Sequence, residues 1–473
     1  MRAAVGLALG LTVASGVTGG CGDNYYAVLD SFPIALTRAP LGAPAALGAT
    51  AQGALVVSAS PPEGSGPPFQ MLVGTGTSMT LLVAGGAEGK LATEAAGFDL
   101  LDPSTAAVRA TFRGVSVLRL PLEPIGDGSL TPGGVLGGDV LHRYSIDIRF
   151  AAGCATGTCS SSMTFWPHLG ADLSFLEDSG YAVLRFSLFG GGEVTADGDP
   201  DFLGQRGPLV IPPTRVVLRA CAVPADFTPD MPRETCCKQT DAERLATGVD
   251  LALMIDTGVG PLVLAETAWL RVRDKLTTTP AMQSGELRIA TWPTPIPATW
   301  TTIPRFALVD LETGPATDPG PCVELGRARR IEQVSYQTVN GLAPDACTQP
   351  CDNDLREPDK SQNSAAYLEL TGQIPVAIIL DNEPYIQGLR FDVRPEGPQL
   401  DGVVGAGALG RSRVEIDYAS APQRALFSCE PEALRGECWT AVRCPRLPDR
   451  DDEHLCFGLP RHGLAATCAP SGC

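Results

Sequence analysis

Short apolar runs recur along the chain, and each is bounded by Gly, Pro, Asp or Asn. Examples lie at residues 54–58, 71–73, 115–120, 182–186 and 215–219. Side chains of a β-strand point alternately to opposite faces, so runs of this length between turn-forming residues predict strands. Few segments keep a helical period, and the best helical candidate is the short stretch 265–275. The pattern predicts a mostly β protein.

Two blocks of this pattern occur twice in the same order. Residues 72–82 align with residues 254–264, which lie 182 positions further on; both blocks have two apolar residues, a Thr-Gly pair and a second apolar run. Residues 134–150 align with residues 402–418, which lie 268 positions further on. The second copy therefore has about 86 additional residues between its blocks. A repeat of two blocks in order indicates a duplicated unit.

The repeat and the composition along the chain predict five segments. They are a signal peptide at 1–20, a tether or first strand at 21–50, a first lobe at 51–215, a second lobe with a cysteine-containing insertion at 216–428, and a cysteine-rich tail at 429–473.

The overall composition excludes several classes of protein. The 473 residues include 35 Lys and Arg against 53 Asp and Glu, which gives a net charge of −18. No basic cluster appears, and a phosphate backbone requires one, so we expect no nucleic-acid partner. Hydrophobic residues make up 44% of the chain, which argues against disorder. The 53 Gly and 41 Pro indicate many turns, and neither a polytopic membrane protein nor a coiled coil fits this composition.

The N-terminus is typical of an exported protein. Arg2 precedes an apolar stretch at residues 3–13, and small residues follow up to Cys21. Thr18-Gly19-Gly20 before Cys21 resembles the lipobox of bacterial lipoproteins, although Thr18 stands where that motif usually has Leu. This predicts lipidation at Cys21, a membrane partner through that anchor, and a location in the cell envelope (periplasm or outer membrane). The alternatives are ordinary cleavage nearby, with Cys21 in a disulfide, and release as a secreted protein.

The cysteine count agrees with export. There are 15 cysteines, and without Cys21 the remaining 14 are enough for seven disulfides in an oxidising compartment. Local pairs such as Cys154 with Cys159 and Cys347 with Cys351 are spaced for small disulfide loops rather than for a zinc site. With only four His in the chain, we expect no metal and no cofactor.

One motif has the residues for catalysis. Residues 253–258 read Leu-Met-Ile-Asp-Thr-Gly, and the apolar-apolar-Gly element Val403-Val404-Gly405 follows later. Together with their repetition, these elements resemble the aspartic proteases, which include the two-lobed pepsins and the one-lobed retropepsins. The resemblance implies an all-β, two-lobed double β-barrel. In that fold an Asp-Thr-Gly turn caps a strand and the apolar-apolar-Gly strand lies beside it.

The resemblance also implies roles for individual residues. Asp256, Thr257 and Gly258 match the catalytic turn, and Val135-Leu136-Gly137 is the first copy of the apolar-apolar-Gly element. In the family two carboxyl groups share one proton; the ionised group acts as general base on a water and the protonated one polarises the scissile carbonyl. The Thr hydroxyls join the two turns, a role that would fall to Thr75 and Thr257.

The first copy departs from the family pattern. Gly74 stands at the position that matches Asp256, while Thr75 and Gly76 remain. The second carboxyl group is therefore absent from this turn. The stretch 81–134 also contains no Tyr or Trp, so the aromatic flap residue of pepsins is missing.

Three hypotheses about function follow. In the first, the chain is a catalytically impaired or inactive homologue that binds a peptide or protein in the inter-lobe cleft. In the second, it is an active aspartic endopeptidase in which Asp256 pairs with Asp256 of a second chain in a homodimer, or with Asp99, Asp102 or Asp139. In the third, the turn ends a strand of an unrelated, non-enzymatic β-sandwich surface lipoprotein.

Overall fold

The structure is a computed structural model of the full chain, and it describes the parts of the chain that carry the sequence repeat. The described residues are 25–28, 34–40, 53–83, 92–120, 122, 130–150, 161–166, 181–194, 209–224, 248–292, 294–310, 320–326, 328–329, 366–391, 399–418, 423–429 and 438–441. The predicted signal peptide, Cys21, Cys154, Cys159, Cys347 and Cys351 lie outside them.

The fold is mostly β, as the sequence pattern predicts. The first half contains β1 Tyr25–Val28, β2 Ile34–Pro40, β3 Gly53–Ser60, β4 Phe69–Val73, β5 Leu81–Val83, β6 Ala92–Leu101, β7 Val108–Leu120, β8 Gly134–Leu136, β9 Ser145–Arg149 and β10 Ser161–Trp166. The rest contains β11 Ala182–Arg185, β12 Ser187–Phe189, β13 Gly192–Val194, β14 Leu209–Ile211, β15 Arg215–Ala222, β16 Val249–Asp256, β17 Leu262–Ala265, β18 Gln283–Leu287, β19 Ile296–Val309, β20 Tyr367–Ile379, β21 Gly402–Gly405, β22 Ser412–Asp417, β23 Arg424–Cys429 and β24 Cys438–Ala441.

Helices are short. They are α1 Gly138–Leu141, α2 Glu266–Arg273, α3 Pro384–Phe391 and α4 Ala406–Leu409, with a 3-10 turn at Pro62–Gly64 and helical residues at 321–326 and 328–329. The helix predicted at 265–275 is confirmed by α2, which buries Ala268, Trp269 and Val272 on one face. Within the described residues, no helix has both the length and the apolar character needed to cross a membrane.

The strands of each half close on themselves through hydrogen-bonded pairs. In the first half the order is β3–β4–β8–β5–β7–β6, and β6 returns to β3. In the second half the order is β15–β16–β21–β17–β20–β19, and β19 returns to β15. Parallel and antiparallel strand pairs occur in the same order around both rings. This closed arrangement of strands differs from the β-sandwich of the third hypothesis.

The strand register repeats with the same offsets as the sequence. Met71 pairs with Gly134 and Leu72 with Val135, and their counterparts Leu253 with Gly402 and Met254 with Val403 pair in the same way. The antiparallel contacts repeat too: Leu82 pairs with Gly134, and Leu264 with Gly402. The internal repeat read from the sequence is therefore present in the backbone hydrogen bonding.

Side chains of the first ring alternate between two apolar layers. Leu55 and Val57 of β3 belong to the main core, whereas Ala54 and Val56 pack in a smaller cluster with Leu72. Because both faces of β3 are covered, its residues 54–57 are all apolar instead of alternating with polar residues.

The two halves are joined by a central antiparallel pair, β9 with β22. Asp147 lies opposite Glu415, its counterpart at the offset of 268 residues, and Ser145 lies opposite Asp417. Antiparallel pairing of equivalent residues is the arrangement that an approximate twofold axis through this point produces. β10 and β23 flank the pair on either side.

Some pairings cross the predicted segment boundaries. β11 pairs with β23 and β12 pairs with β15, although residues 182–189 fall in the predicted first lobe. They lie between the repeated blocks, where the repeat gives no register. β24, in the predicted tail, pairs with β20, and Cys438 forms a disulfide with Cys429. A second disulfide, Cys221–Cys322, joins β15 to the helical segment at 321–326.

Candidate functional site

The site lies where the two Thr-Gly turns meet. One turn, Gly74-Thr75-Gly76, follows β4, and the other, Asp256-Thr257-Gly258, lies at the end of β16. The register described above brings both turns to the boundary between the two rings, so that residues 182 positions apart in sequence touch each other.

Thr75 and Thr257 join the turns through four reciprocal hydrogen bonds. The Thr75 N–H donates to Thr257 Oγ1 at 3.2 Å, and the Thr257 N–H donates to Thr75 Oγ1 at 3.1 Å. The Thr75 hydroxyl donates to the Ile255 carbonyl at 3.2 Å, and the Thr257 hydroxyl donates to the Val73 carbonyl at 2.5 Å. Both Thr residues are completely buried. Each hydroxyl is thus used as donor and acceptor, and the two turns are held as one unit.

The apolar-apolar-Gly elements support each turn from behind. Val135 and Leu136 lie in β8 beside β4, and Val403 and Val404 lie in β21 beside β16. After each strand a short helix turns towards the site: the Gly138 N–H donates to the Thr77 carbonyl, and at the equivalent place the Ala406 N–H donates to the Val259 carbonyl, both at 2.7 Å. Gly137 and Gly405 stand at the N-termini of these helices.

Asp256 is the only carboxyl group among the described residues that line the site. Its side chain is 2% exposed, and Oδ1 accepts hydrogen bonds from the Gly258 N–H at 2.8 Å and the Gly76 N–H at 3.3 Å. Burial raises the pKa of Asp256, while the two N–H groups and the charge of Arg215 act in the opposite direction.

The Gly76 amide links the two turns. The Gly76 N–H, which belongs to the turn that carries Gly74, donates across the boundary to Asp256. A Cβ at Gly76 would lie 2.5 Å from Asp256 Oδ2, so only glycine permits this approach. A Cβ at Gly74 would lie 2.8 Å from Val135 Cγ1 and 3.0 Å from Thr77 Oγ1, so a side chain at this position requires Val135 to shift.

A cavity of about 460 Å³ opens beside Asp256. Its lining residues are Gly76, Thr77, Leu81, Arg215, Asp256, Thr291, Trp292, Tyr385, Gln387, Gly388 and Leu389. The rings of Trp292 and Tyr385 meet edge to face with their centroids 5.5 Å apart. Burial and the charge of Asp256 raise the pKa of Tyr385 well above its usual value, while the charge of Arg215 lowers it.

The other candidate carboxylates have partners elsewhere. Asp99 pairs with Arg113 at 2.8 Å, and Asp102 pairs with Arg109 at 3.1 Å. Asp139 accepts a hydrogen bond from the Thr80 hydroxyl at 2.7 Å, and burial raises its pKa to about 6. None of the three lines the cavity beside Asp256. An intramolecular pair between Asp256 and any of them is therefore not formed in this structure.

Arg215, Trp292 and Tyr385 were not anticipated from the sequence. Arg215 begins β15, Trp292 follows β18, and Tyr385 lies in α3, so all three fall outside the repeated blocks. No local motif marks them. Residues 81–134 contain no Tyr or Trp, and the Trp and Tyr that line the cavity come from the second half of the chain.

The sequence matches no protein-family model, and a search of curated proteins finds no match.

Proposed function

We propose that the chain is an exported, aspartic-protease-like protein with a pepsin-type double barrel that binds a peptide in its inter-lobe cleft without efficient catalysis. The observation that carries this proposal is the reciprocal Thr75–Thr257 pair with a carboxyl group on only one side. The scaffold that positions two carboxyl groups is retained, and Gly74 removes one of them.

One carboxyl group does not supply the chemistry of a pair. Peptide hydrolysis at such a site needs a general base for the water and a proton donor for the scissile carbonyl. Proton transfer of this kind contributes roughly 10²–10⁴ in rate, so losing one partner leaves little activity. Asp256 is also buried and lines a cavity of its own chain, so two folded chains, each with its Asp256 buried in this way, do not bring the two carboxyl groups together.

The cavity supports peptide binding as the remaining role. Its volume falls in the usual range for ligand sites, and Leu81, Leu389 and the Trp292–Tyr385 pair offer an apolar lining with a few polar groups. Export is supported by the disulfides Cys221–Cys322 and Cys429–Cys438, because such bonds persist in oxidising compartments. A lipid anchor at Cys21 would place the cleft at a membrane surface, and mass spectrometry of the mature N-terminus tests that modification.

Cleavage assays at acidic pH test the proposal. Wild type, Asp256→Asn and Gly74→Asp are incubated with a mixture of unstructured peptides, with and without pepstatin. We expect no difference between wild type and Asp256→Asn, and measurable binding of peptides by wild type in calorimetry. We expect Gly74→Asp to gain pepstatin-sensitive cleavage, since it restores the second carboxyl group.

Two outcomes would contradict the proposal. Pepstatin-sensitive cleavage by wild type that Asp256→Asn abolishes would identify an active protease. Absence of any peptide binding by wild type would remove the cleft as a peptide site.

A further inference from the structure

The cavity beside Asp256 has an unusual set of charges for a site derived from an acidic pair. Among its described lining residues, Arg215 is the one cationic side chain and Asp256 is the one carboxyl group. Arg215 lies close enough to act on both Asp256 and Tyr385. A cationic side chain therefore lies beside the cavity. A catalytic aspartic-protease pair would instead need a second carboxyl group.

The Tyr385 hydroxyl adds a hydrogen-bond donor. Tyr385 is 5% exposed, and its hydroxyl is buried without a hydrogen bond to any residue in the described part of the chain. Tyr385, Asp256 and Arg215 all line the cavity, and the charges of Asp256 and Arg215 both act on the Tyr385 hydroxyl. Buried hydroxyl groups are normally hydrogen-bonded, so this hydroxyl is available to donate to an acceptor that enters the cavity.

Asp256 is compatible with an anionic ligand nearby. Because burial favours its neutral form, its carboxyl group is able to donate a proton to a second carboxyl group instead of repelling it. Two carboxyl groups that share a proton are the arrangement the site has lost through Gly74. A carboxyl group on the ligand would restore it.

We propose that the cavity between Arg215, Tyr385 and Asp256 binds a carboxylate of the peptide ligand. This inference rests on the proposed peptide-binding function and specifies its ligand. Arg215 supplies the positive charge, the Tyr385 hydroxyl donates a hydrogen bond, and Asp256 shares a proton with the bound group. The apolar side chains of Leu81, Leu389 and Trp292 contact the residue that carries the carboxylate. Either a free C-terminus or an Asp or Glu side chain has this chemistry.

Pairs of acidic and neutral peptides measure whether the cavity prefers a ligand that carries a carboxylate. N-acetyl-Ala-Leu-Phe is compared as free acid and as amide, and N-acetyl-Ala-Asp-Phe amide is compared with its Asn counterpart, by calorimetry on the mature protein. We expect at least one acidic peptide to bind tenfold or more tightly than its neutral partner. A preference in the first pair identifies a C-terminus, and a preference in the second pair identifies a side chain.

Variants with matched controls assign the preference to the cavity. The acidic preference is the ratio of the affinity for an acidic peptide to the affinity for its neutral partner. Arg215→Gln and Tyr385→Phe should reduce this ratio at least fivefold, while Arg215→Lys should keep part of it. Arg219→Gln changes the same charge four residues along β15, outside the cavity lining, and should leave the preference intact. Tyr418→Phe removes another buried hydroxyl outside the cavity lining and should also leave it intact.

The outcomes separate this inference from the function on which it rests. Equal binding of acidic and neutral peptides, or an acidic preference that Arg215→Gln retains, overturns the carboxylate site and leaves peptide binding standing. No binding of any peptide overturns both.

Discussion

Thr75 and Thr257 are the residues that hold the two turns together. We expect Thr75→Val to lower the free energy of unfolding by about 2–4 kcal/mol, because the Thr257 N–H and the Ile255 carbonyl would lose their partners while buried. Thr257→Val should have a similar effect, and the double variant should lose less than the sum because the two side chains act on one interface. Urea denaturation of all three variants measures this.

Thr278→Val serves as the control for these variants. Thr278 is exposed, so its replacement should change the free energy of unfolding by less than about 0.5 kcal/mol. Additive losses in the double variant would contradict a shared role for the two hydroxyls.

The raised pKa of Asp256 predicts how the stability of the protein depends on pH. Its pKa is raised in the folded protein, so the folded state holds its proton to higher pH than the unfolded state does. Stability from this group is therefore full below the unfolded pKa and falls as pH rises towards the folded pKa. Asp256→Asn should remove that fall. As pH rises over this range, the variant should therefore become more stable relative to wild type, as measured by the free energy of unfolding at each pH.

The same pH series with Asp139→Asn gives a comparison, since Asp139 also has a raised pKa but lies outside the cavity. A pH-independent difference between wild type and Asp256→Asn would show that Asp256 does not titrate in this way.

At the scale of strands and turns, the sequence repeat predicted a large part of the site. Two offsets were enough to align Gly74 with Asp256 and Val135 with Val403, and the same offsets recur in the strand register. This succeeds because turn-forming residues and apolar strand residues are local signals. Arg215 and Tyr385 could not be predicted, because only tertiary packing brings them to the cavity.

The two described disulfides make a prediction at the scale of elements. Cys221–Cys322 spans 101 residues and Cys429–Cys438 spans 9. If the bonds act mainly by restricting the unfolded chain, removing the longer one costs about 4.7 kcal/mol and the shorter one about 2.6 kcal/mol. The paired variants Cys221→Ala/Cys322→Ala and Cys429→Ala/Cys438→Ala should differ accordingly in urea denaturation. A larger loss for the short loop would contradict this account.

At the scale of the whole molecule, the halves are not independent lobes joined by a linker. They share the central pair β9–β22, and β11 and β12 of the predicted first lobe pair with strands of the second half. The repeat could not predict these pairings. It shows which residues of the two halves are equivalent, but not which strands of one half pair with strands of the other. The pairing of Asp147 with Glu415 results from the twofold arrangement and from no local pattern.

This central pair makes the last prediction. Glu415 is 4% exposed, and burial together with the negative charge of Asp147 opposite raises its pKa to about 7. Arg413, Asp417 and Arg424 are the other charged groups that act on it. Because the folded pKa exceeds the unfolded value, stability falls as pH rises from about 4.5 to 7 and is level above that.

Glu415→Gln removes the group that titrates. Relative to wild type, the variant should gain stability between pH 5 and pH 8, by up to about 3 kcal/mol, as measured by urea denaturation at each pH. Glu286→Gln, at an exposed position of β18, should show no such gain. Since β9 and β22 join the halves, the gain should appear in the unfolding of both together. A gain that is the same at pH 5 and pH 8 would rule out titration of Glu415 as its cause, because at pH 5 the wild-type group is already protonated.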